Sequence, residues 1–316
     1  MAAPPTSRST HRPPSRRPLT RRRFTRRLFA WHATAERPLL IREAQTPWEV
    51  LVAEVMSIQT GIERVGPAWR RFVDTWPSPE ALAEAGTRDV LAAWVGLGYN
   101  RRALALRESA RRLVEDHAGA VPPSVEELLA LPGIGPYTAR AIAATAFGVP
   151  VAPLDVNVRR VVGRVTGTDA GSPALQGLAD ALVVPRAPRR WLNAVMDLAS
   201  AVCTKAAPRC AACPLADICV SAGAASHTEP RRPSVPFPTT RRWLRGRLVA
   251  LATAAPDGAW VPLPDQMGAH GRNAIRAAAG DLALEDFLDV HDGHARVRER
   301  LDSAAQTTGG RKNAGQ

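Results

Sequence analysis

Apolar residues recur at spacings of three and four through the first two hundred positions, the signature of helices that bury one face. Phe24–Ala35 places Leu28 and Trp31 on one side of a first helix. Pro47 opens a second, which carries the apolar run Trp48 to Ile58. Helical segments are predicted to continue over 62–75, 79–94, 101–117 and 124–147, with Gly66-Pro67, Pro77-Ser78-Pro79, Gly96 with Gly98, and Gly119 punctuating the joints. Strand signals are scarce before residue 240, so the body, roughly 22–220, reads as mainly α.

Residues 221–240 are rich in Ala, Ser, Thr and Pro and read as a linker. Thr240–Ala254 and Arg272–Ala279 follow as helices. Phe287–Val290 and Ala295–Val297 are expected to pair across His291-Asp292-Gly293-His294, because Asp-Gly suits a hairpin turn. Two or three helices plus a hairpin fit a small winged-helix-like module. The expected organisation is a disordered basic tail over 1–22, a core over 23–220, a linker over 221–239, an α+β module over 240–298 and a disordered tail over 299–316.

A chain of 316 residues, 45% of them apolar, has room for two domains or one large domain with appendages. It has no uninterrupted apolar stretch of about eighteen residues, so no transmembrane helix is expected. The net charge of +13 is concentrated at one end. Residues 1–28 hold nine arginines and no acid; without them the balance is 33 basic to 29 acidic residues, or +4. A tail of Pro, Ser, Thr and Arg lacks the apolar content to fold. It either adds salt-sensitive, sequence-blind attraction to phosphates or is simply a solvated tail. Thr20–Phe24 resembles a twin-arginine export signal, but Thr25–Arg37 carries charges where such a signal needs an apolar core, so export is rejected.

The four cysteines stand at 203, 210, 213 and 219, all within seventeen residues. Such clustering suits a metal in the reducing cytoplasm better than a disulfide framework. Zinc usually wants two short-spaced pairs, and only Cys210 and Cys213 make one. Four thiolates on one loop suit an iron–sulfur cluster equally well, and spacing leaves both open.

Three further places carry chemistry. Ser124 with Glu127 makes a capping box for a short helix. Leu131-Pro132-Gly133-Ile134-Gly135 then turns tightly into a helix opened by Pro136, whose missing N–H costs nothing there. Glycines beside a helix N-terminus let backbone N–H groups approach an anion, and a DNA phosphate is a natural guest; the plainer reading is an ordinary helical hairpin. Glu54 has Val50, Leu51, Ser57 and Ile58 as helical neighbours, none charged. Partial desolvation would raise its pKa and suit a general acid, unless it is a structural Glu paired with an arginine such as Arg42. Asp155 precedes an apolar-periodic segment and reads first as a helix N-cap, which would also fix the direction of its carboxylate.

Together these pieces resemble the endonuclease III superfamily of base-excision DNA glycosylases, over about residues 24–220. The Cys203–Cys219 spacing matches that superfamily's [4Fe-4S] loop, Pro132-Gly133-Ile134-Gly135 its helix-hairpin-helix, and Asp155 its catalytic Asp. Within it the chain looks most like the MutY-type adenine DNA glycosylases. Ala53-Glu54-Val55-Met56-Ser57-Ile58-Gln59-Thr60 resembles the helix that carries that group's catalytic Glu, and Gly96-Leu97-Gly98-Tyr99 a loop whose tyrosine wedges into the duplex. Met196-Asp197-Leu198 resembles the segment that places an acid near the adenine. Tyr137 stands where the bifunctional lyases carry a nucleophilic Lys, which implies a monofunctional glycosylase.

The resemblance implies a six-helix barrel plus an iron–sulfur helical domain. It implies catalysis by Glu54 and Asp155, held by Tyr137 and Asn157, and DNA contacts from Arg42, Gln59, Thr60, Leu97, Tyr99, Gly133, Gly135 and Asp197. Cys203, Cys210, Cys213 and Cys219 would hold a [4Fe-4S] cluster, with Lys205 and Arg209 on a loop that can meet phosphates. The expected partner is double-stranded DNA with adenine opposite 8-oxoguanine or guanine. The enzyme is expected to be a monomer in the cytoplasm, on the nucleoid, with no membrane partner.

The chain also departs from the pattern. Ser57 replaces a Leu and Ile58 a Gln; Ile41 replaces the Trp of a Pro-Trp-Arg motif, with Arg42 kept; Asn100 replaces a second tyrosine and Val156 a glycine. These changes cluster on the base pocket and leave a sister enzyme, removing T or U opposite G, as the alternative. A non-catalytic iron–sulfur DNA-binding protein is a third reading, opposed by the joint presence of Glu54, Tyr137, Asp155 and Asn157. Residues 221–316 look too short and strand-poor for the Nudix-like domain that the group uses to check for 8-oxoguanine.

Overall fold

Side chains that take up open backbone N–H groups start many of the helices. In the computed structural model, which describes residues 17–224, 235–256 and 258–299, the helices are α1 Arg21–Ala35, α2 Pro47–Ser57, α3 Ile62–Thr75, α4 Pro79–Ala83, α5 Thr87–Trp94, α6 Arg101–His117, α7 Val125–Ala130, α8 Pro136–Ala146, α9 Val156–Thr166, α10 Ala174–Leu182, α11 Pro188–Ala201, α12 Arg241–Thr253 and α13 Arg272–Leu284. The strands are β1 Val261–Pro262, β2 Gln266–Met267, β3 His270–Gly271, β4 Leu288–His291 and β5 His294–Val297. Thr20, Ser78, Ser124 and Thr240 cap their helices, and Thr46 with Glu49 completes a capping box around Pro47. Parts of the expected tails and linker, residues 1–16, 225–234 and 300–316, lie outside the described residues. Among the described residues no helix is long and apolar enough to cross a membrane.

The helix expected over 79–94 is two, α4 and α5. Gly86 stands in extended backbone at the start of α5 and has no side chain to cap it. Glu299 does so from far along the chain, its carboxylate accepting from the backbone N–H of Thr87 at 2.9 Å and of Arg88 at 3.1 Å.

The chain divides into two compact units. The first combines residues 17–37 with 148–224. Here α11 packs on α1 and α9, while α10 packs on the same two helices. Phe24, Leu28, Val158, Val162, Trp191 and Leu198 fill its core.

The second unit combines 38–147 with the described part of 235–299. Its centre is α2, which packs on α3, α6 and α8 and buries seven of its residues, Trp48 among them. Two buried indoles of this unit have their N–H groups satisfied: Trp48 donates to Trp76 O and Trp69 to Glu49 O, both at 3.0 Å. The C-terminal elements of this unit form an antiparallel sheet of order β1-β5-β4 beside α12 and α13, with β2 and β3 as a second small pair. Asp292 and Gly293, both at positive φ, join β4 to β5 as a two-residue turn. The expected hairpin is thus present, with each strand taking in one histidine of the expected loop. The helix α13 runs past the expected end at Ala279 because Leu282 is buried and Asp281 pairs with Arg241; such tertiary contacts outweigh the poor helix propensity of Gly280.

Candidate active site

Of the expected site residues, Arg42, Glu54, Gln59, Thr60, Leu97, Tyr99, Gly133, Gly135 and Tyr137 belong to the second unit, and Asp155, Asn157, Asp197 and the cysteines to the first. Glu54 is half-buried on the mostly apolar α2, against which α8 packs with Tyr137 in its first turn, also half-buried. Arg42 lies half-buried in a single helical turn, Leu40–Glu43. Ser57, one of the departures from the family pattern, donates its hydroxyl to Ala53 O at 2.7 Å, so its polar group is turned back onto the helix.

The hairpin between α7 and α8 needs its first glycine twice over. Gly133 has φ +78°, and a Cβ there would lie 2.9 Å from the Cβ of Ala105. Ser109, fully buried, donates to Pro132 O at 2.7 Å and anchors the turn on α6. Gly135 precedes α8, and no side chain caps this helix.

Arg102, which sequence reasoning missed, assembles the neighbouring loop. Its Nη1 donates to the last carbonyls of α2, Val55 O at 2.9 Å and Met56 O at 3.0 Å. Its Nη2 donates to Thr60 Oγ1 at 2.9 Å and Gly98 O at 3.0 Å. Burial pushes its pKa down to about 10. A signal existed: two arginines open α6, where the helix dipole disfavours positive charge, so one of them needed acceptors elsewhere. The loop that Arg102 holds carries Tyr99, 40% exposed and at φ +50°. Gln59, also at positive φ, is exposed. A cleft of about 800 Å³ is lined by Ile58, Gln59, Tyr99, Arg102, Gly133 and Arg242. Leu97 is buried, and its carbonyl is within 3.3 Å of Thr60 Oγ1.

Asp155 caps α9. Its Oδ1 accepts from the backbone N–H of Asn157 at 2.9 Å and of Val158 at 2.7 Å, and Oδ2 accepts from Asn157 Nδ2 at 2.7 Å. The amide of Asn157 is itself oriented, because its Oδ1 accepts from Arg160 Nη1 at 3.1 Å. Arg160 reaches on to Cys203 O at 2.8 Å and Ala199 O at 3.0 Å, and burial lowers its pKa. Sequence reasoning missed this arginine too. A continuous run of hydrogen bonds therefore joins Asp155 to the cysteine loop.

All four cysteines line one cavity of about 290 Å³, with Val161, Val165, Leu198 and Leu215 among its other walls. Arg164, one turn beyond Arg160, donates to Cys203 Sγ at 3.4 Å and Thr204 O at 2.7 Å. Burial and the neighbouring thiolates push the Cys213 thiol up to about 11. Among the described residues no group of three or more His, Cys, Asp or Glu side chains converges tightly enough to hold a single metal ion.

Asp197 differs from the expectation of a DNA contact. It is fully buried, and its carboxylate accepts from Arg37 Nε at 2.6 Å and lies 3.0 Å from His32 Nε2, itself buried. These two partners come from the far end of the chain, which local sequence does not reveal.

Residues 52–181 match the HhH-GPD superfamily of base excision DNA repair proteins. The adenine DNA glycosylase of Mycobacterium tuberculosis is 42% identical over 238 residues, 72% of this chain and 78% of that protein. The chain belongs to the adenine DNA glycosylase family. The human adenine DNA glycosylase is 39% identical over 197 residues, 60% of this chain and 36% of the human protein. The glycosylase also superposes on the solved structure of a thermostable thymine-DNA glycosylase with TM-score 0.59 and 28% identity, covering 63% of this chain and 94% of the other.

Proposed function

We propose that this glycosylase is a monofunctional enzyme of base excision repair, hydrolysing the N-glycosidic bond of adenine mispaired with 8-oxoguanine or guanine in duplex DNA. The observation that carries the reading is Asp155, a carboxylate aimed by three hydrogen bonds at the start of α9 in a chain of this family. The target base is out of reach in the stack, so it is flipped at a cost of a few kcal/mol. Tyr99 fills the gap by stacking. Gln59, Thr60 and Leu97 face the opposite base, Gly133 and Gly135 hold the backbone through their N–H groups, and Arg42 supports the base pocket. Glu54 donates its proton to adenine N7, so the base departs neutral. The C1′–N9 bond breaks toward a cationic sugar, whose charge Asp155 offsets before water adds at C1′. Tyr137 steadies Glu54, and Asn157 steadies Asp155. A phenol at 137 has no amine to form a Schiff base, so the strand is left intact.

A [4Fe-4S] cluster fits the cysteine loop. Four cysteine sulfurs face one mostly apolar cavity, and a guanidinium N–H reaches one of them, as hydrogen-bond donors around a cluster's sulfurs do. A single zinc would need all four sulfurs about 2.3 Å from one point. Cys203, Cys210, Cys213 and Cys219 would hold the cluster, which would cross-link the loop when bound. The loop's Lys205 and Arg209 would then meet phosphates. Asp197 acts through packing of the first unit, as a positioning residue rather than a DNA contact. The enzyme works as a monomer in the cytoplasm, on the nucleoid.

Excision of T or U opposite G is the second reading, favoured by Ile41, Ser57 and Ile58 at the base pocket. The acid role is tested with Glu54→Gln in single-turnover base release. The expected result is a loss of about 10² to 10⁴ in rate with duplex binding kept; unchanged release would remove Glu54 from the mechanism.

A further inference from the structure

Tyr99 is held by an arginine from the C-terminal module. Arg242, in the first turn of α12, donates from Nη1 to Tyr99 Oη at 2.6 Å, and its guanidinium carbon lies 5.1 Å from the centre of the Tyr99 ring. The same guanidinium lies 4.9 Å from the Phe237 ring. Arg102 also stacks on Tyr99, at 5.5 Å. Two cations thus hold one exposed ring, and a short hydrogen bond fixes its hydroxyl.

The helix that supplies Arg242 is itself anchored. Arg241 pairs with Asp281, and Arg245 donates to Glu285 at 2.8 Å. Glu285 also pairs with Arg101, the first residue of α6, at 3.1 Å. Asp281 in α13 and Glu285 just after it are therefore engaged by Arg241 and Arg245, while Arg242, between them in sequence, meets the hydroxyl of Tyr99. An exposed tyrosine at positive φ after a glycine would otherwise sample many orientations, and ordering it on DNA would cost conformational entropy.

We propose that Arg242 is a positioning residue for the wedge: it sets Tyr99 in its working orientation before DNA arrives, so that the C-terminal module contributes to base flipping. The proposal rests on the reading of Tyr99 as the wedge.

Arg242→Ala and Tyr99→Phe test it in the full-length protein, the second keeping the ring while removing the hydroxyl. Base release is compared on a mismatched duplex and on a duplex whose target base is already unpaired in a bulge. Flipping is followed by the fluorescence of 2-aminopurine next to the target. Each variant is expected to lose about tenfold in kcat/KM and in flipping on the mismatched duplex, as befits one hydrogen bond to a charged group. The double variant should lose no more than either single one. On the bulged substrate the loss should vanish, which general damage to the fold would not allow. Arg242→Lys, which keeps the charge and a donor, should recover part of the flipping signal. Tyr99→Ala slow and Arg242→Ala like wild type would overturn the proposal alone. Tyr99→Ala like wild type would overturn the wedge and the proposal with it. Equal losses on both substrates would assign Arg242 to the fold rather than to the wedge.

Discussion

A single carboxylate at the start of α9 does two jobs that a substitution can separate. Asp155 stabilises the helix as its cap and, in the mechanism proposed above, would offset the charge of the cationic sugar. Asparagine caps as well as aspartate but carries no charge. Asp155→Asn should therefore keep the melting temperature close to wild type while cutting base release by about 10² or more. Asp155→Ala should lose activity and, in addition, about 1 kcal/mol of stability in a denaturant titration. Equal activity of Asp155→Asn and wild type would remove the electrostatic role. Asp155 and Asn157 were legible because a cap is written in adjacent residues. Arg160 was not, since its partners Ala199 and Cys203 lie about forty residues away, and Asp197 was misplaced because His32 and Arg37 are more distant still.

Among the elements, the turn after α2 and the loop that leads from α5 into α6 are tied together by one guanidinium. Arg102 ties Val55, Met56, Thr60 and Gly98 together, and burial holds its pKa below the usual arginine range. Arg102→Met removes the charge and leaves these acceptors without their donor. The expected cost is about 2 to 4 kcal/mol in chemical denaturation, with faster amide exchange across 96–100 and a raised KM. Stability within about 0.5 kcal/mol of wild type would show that the loop holds itself. The bounds of α3 and α6 were readable to the residue, although Gly66-Pro67, expected at a joint, lies inside α3. The break between α4 and α5 was not, because what closes it is Glu299, more than two hundred residues away. The terminal hairpin was readable from Asp292-Gly293, with β4 starting one residue later than expected and each strand taking in one histidine.

Across the whole molecule, the cysteine loop and the start of α9 form one hydrogen-bonded system through Arg160. Cys210→Ser should lower bound iron and absorbance near 400 nm, and should slow base release although Cys210 touches no substrate. Full activity in a variant that has lost its iron would uncouple the loop from Asp155. The division into two units, each built from separated stretches of chain, could not be read from sequence, because helical periodicity says which face is buried but not against which helix. The base removed is the central claim, and the residues that bear on it, Ile41, Ser57 and Ile58, differ from the family pattern. The most direct measurement incubates the purified protein with duplexes carrying A opposite 8-oxoguanine, A opposite G, T opposite G and U opposite G, then treats each with alkali to cut at abasic sites. Strand scission confined to the two adenine duplexes, and dependent on alkali, is the predicted result. Scission only at T or U opposite G would contradict it.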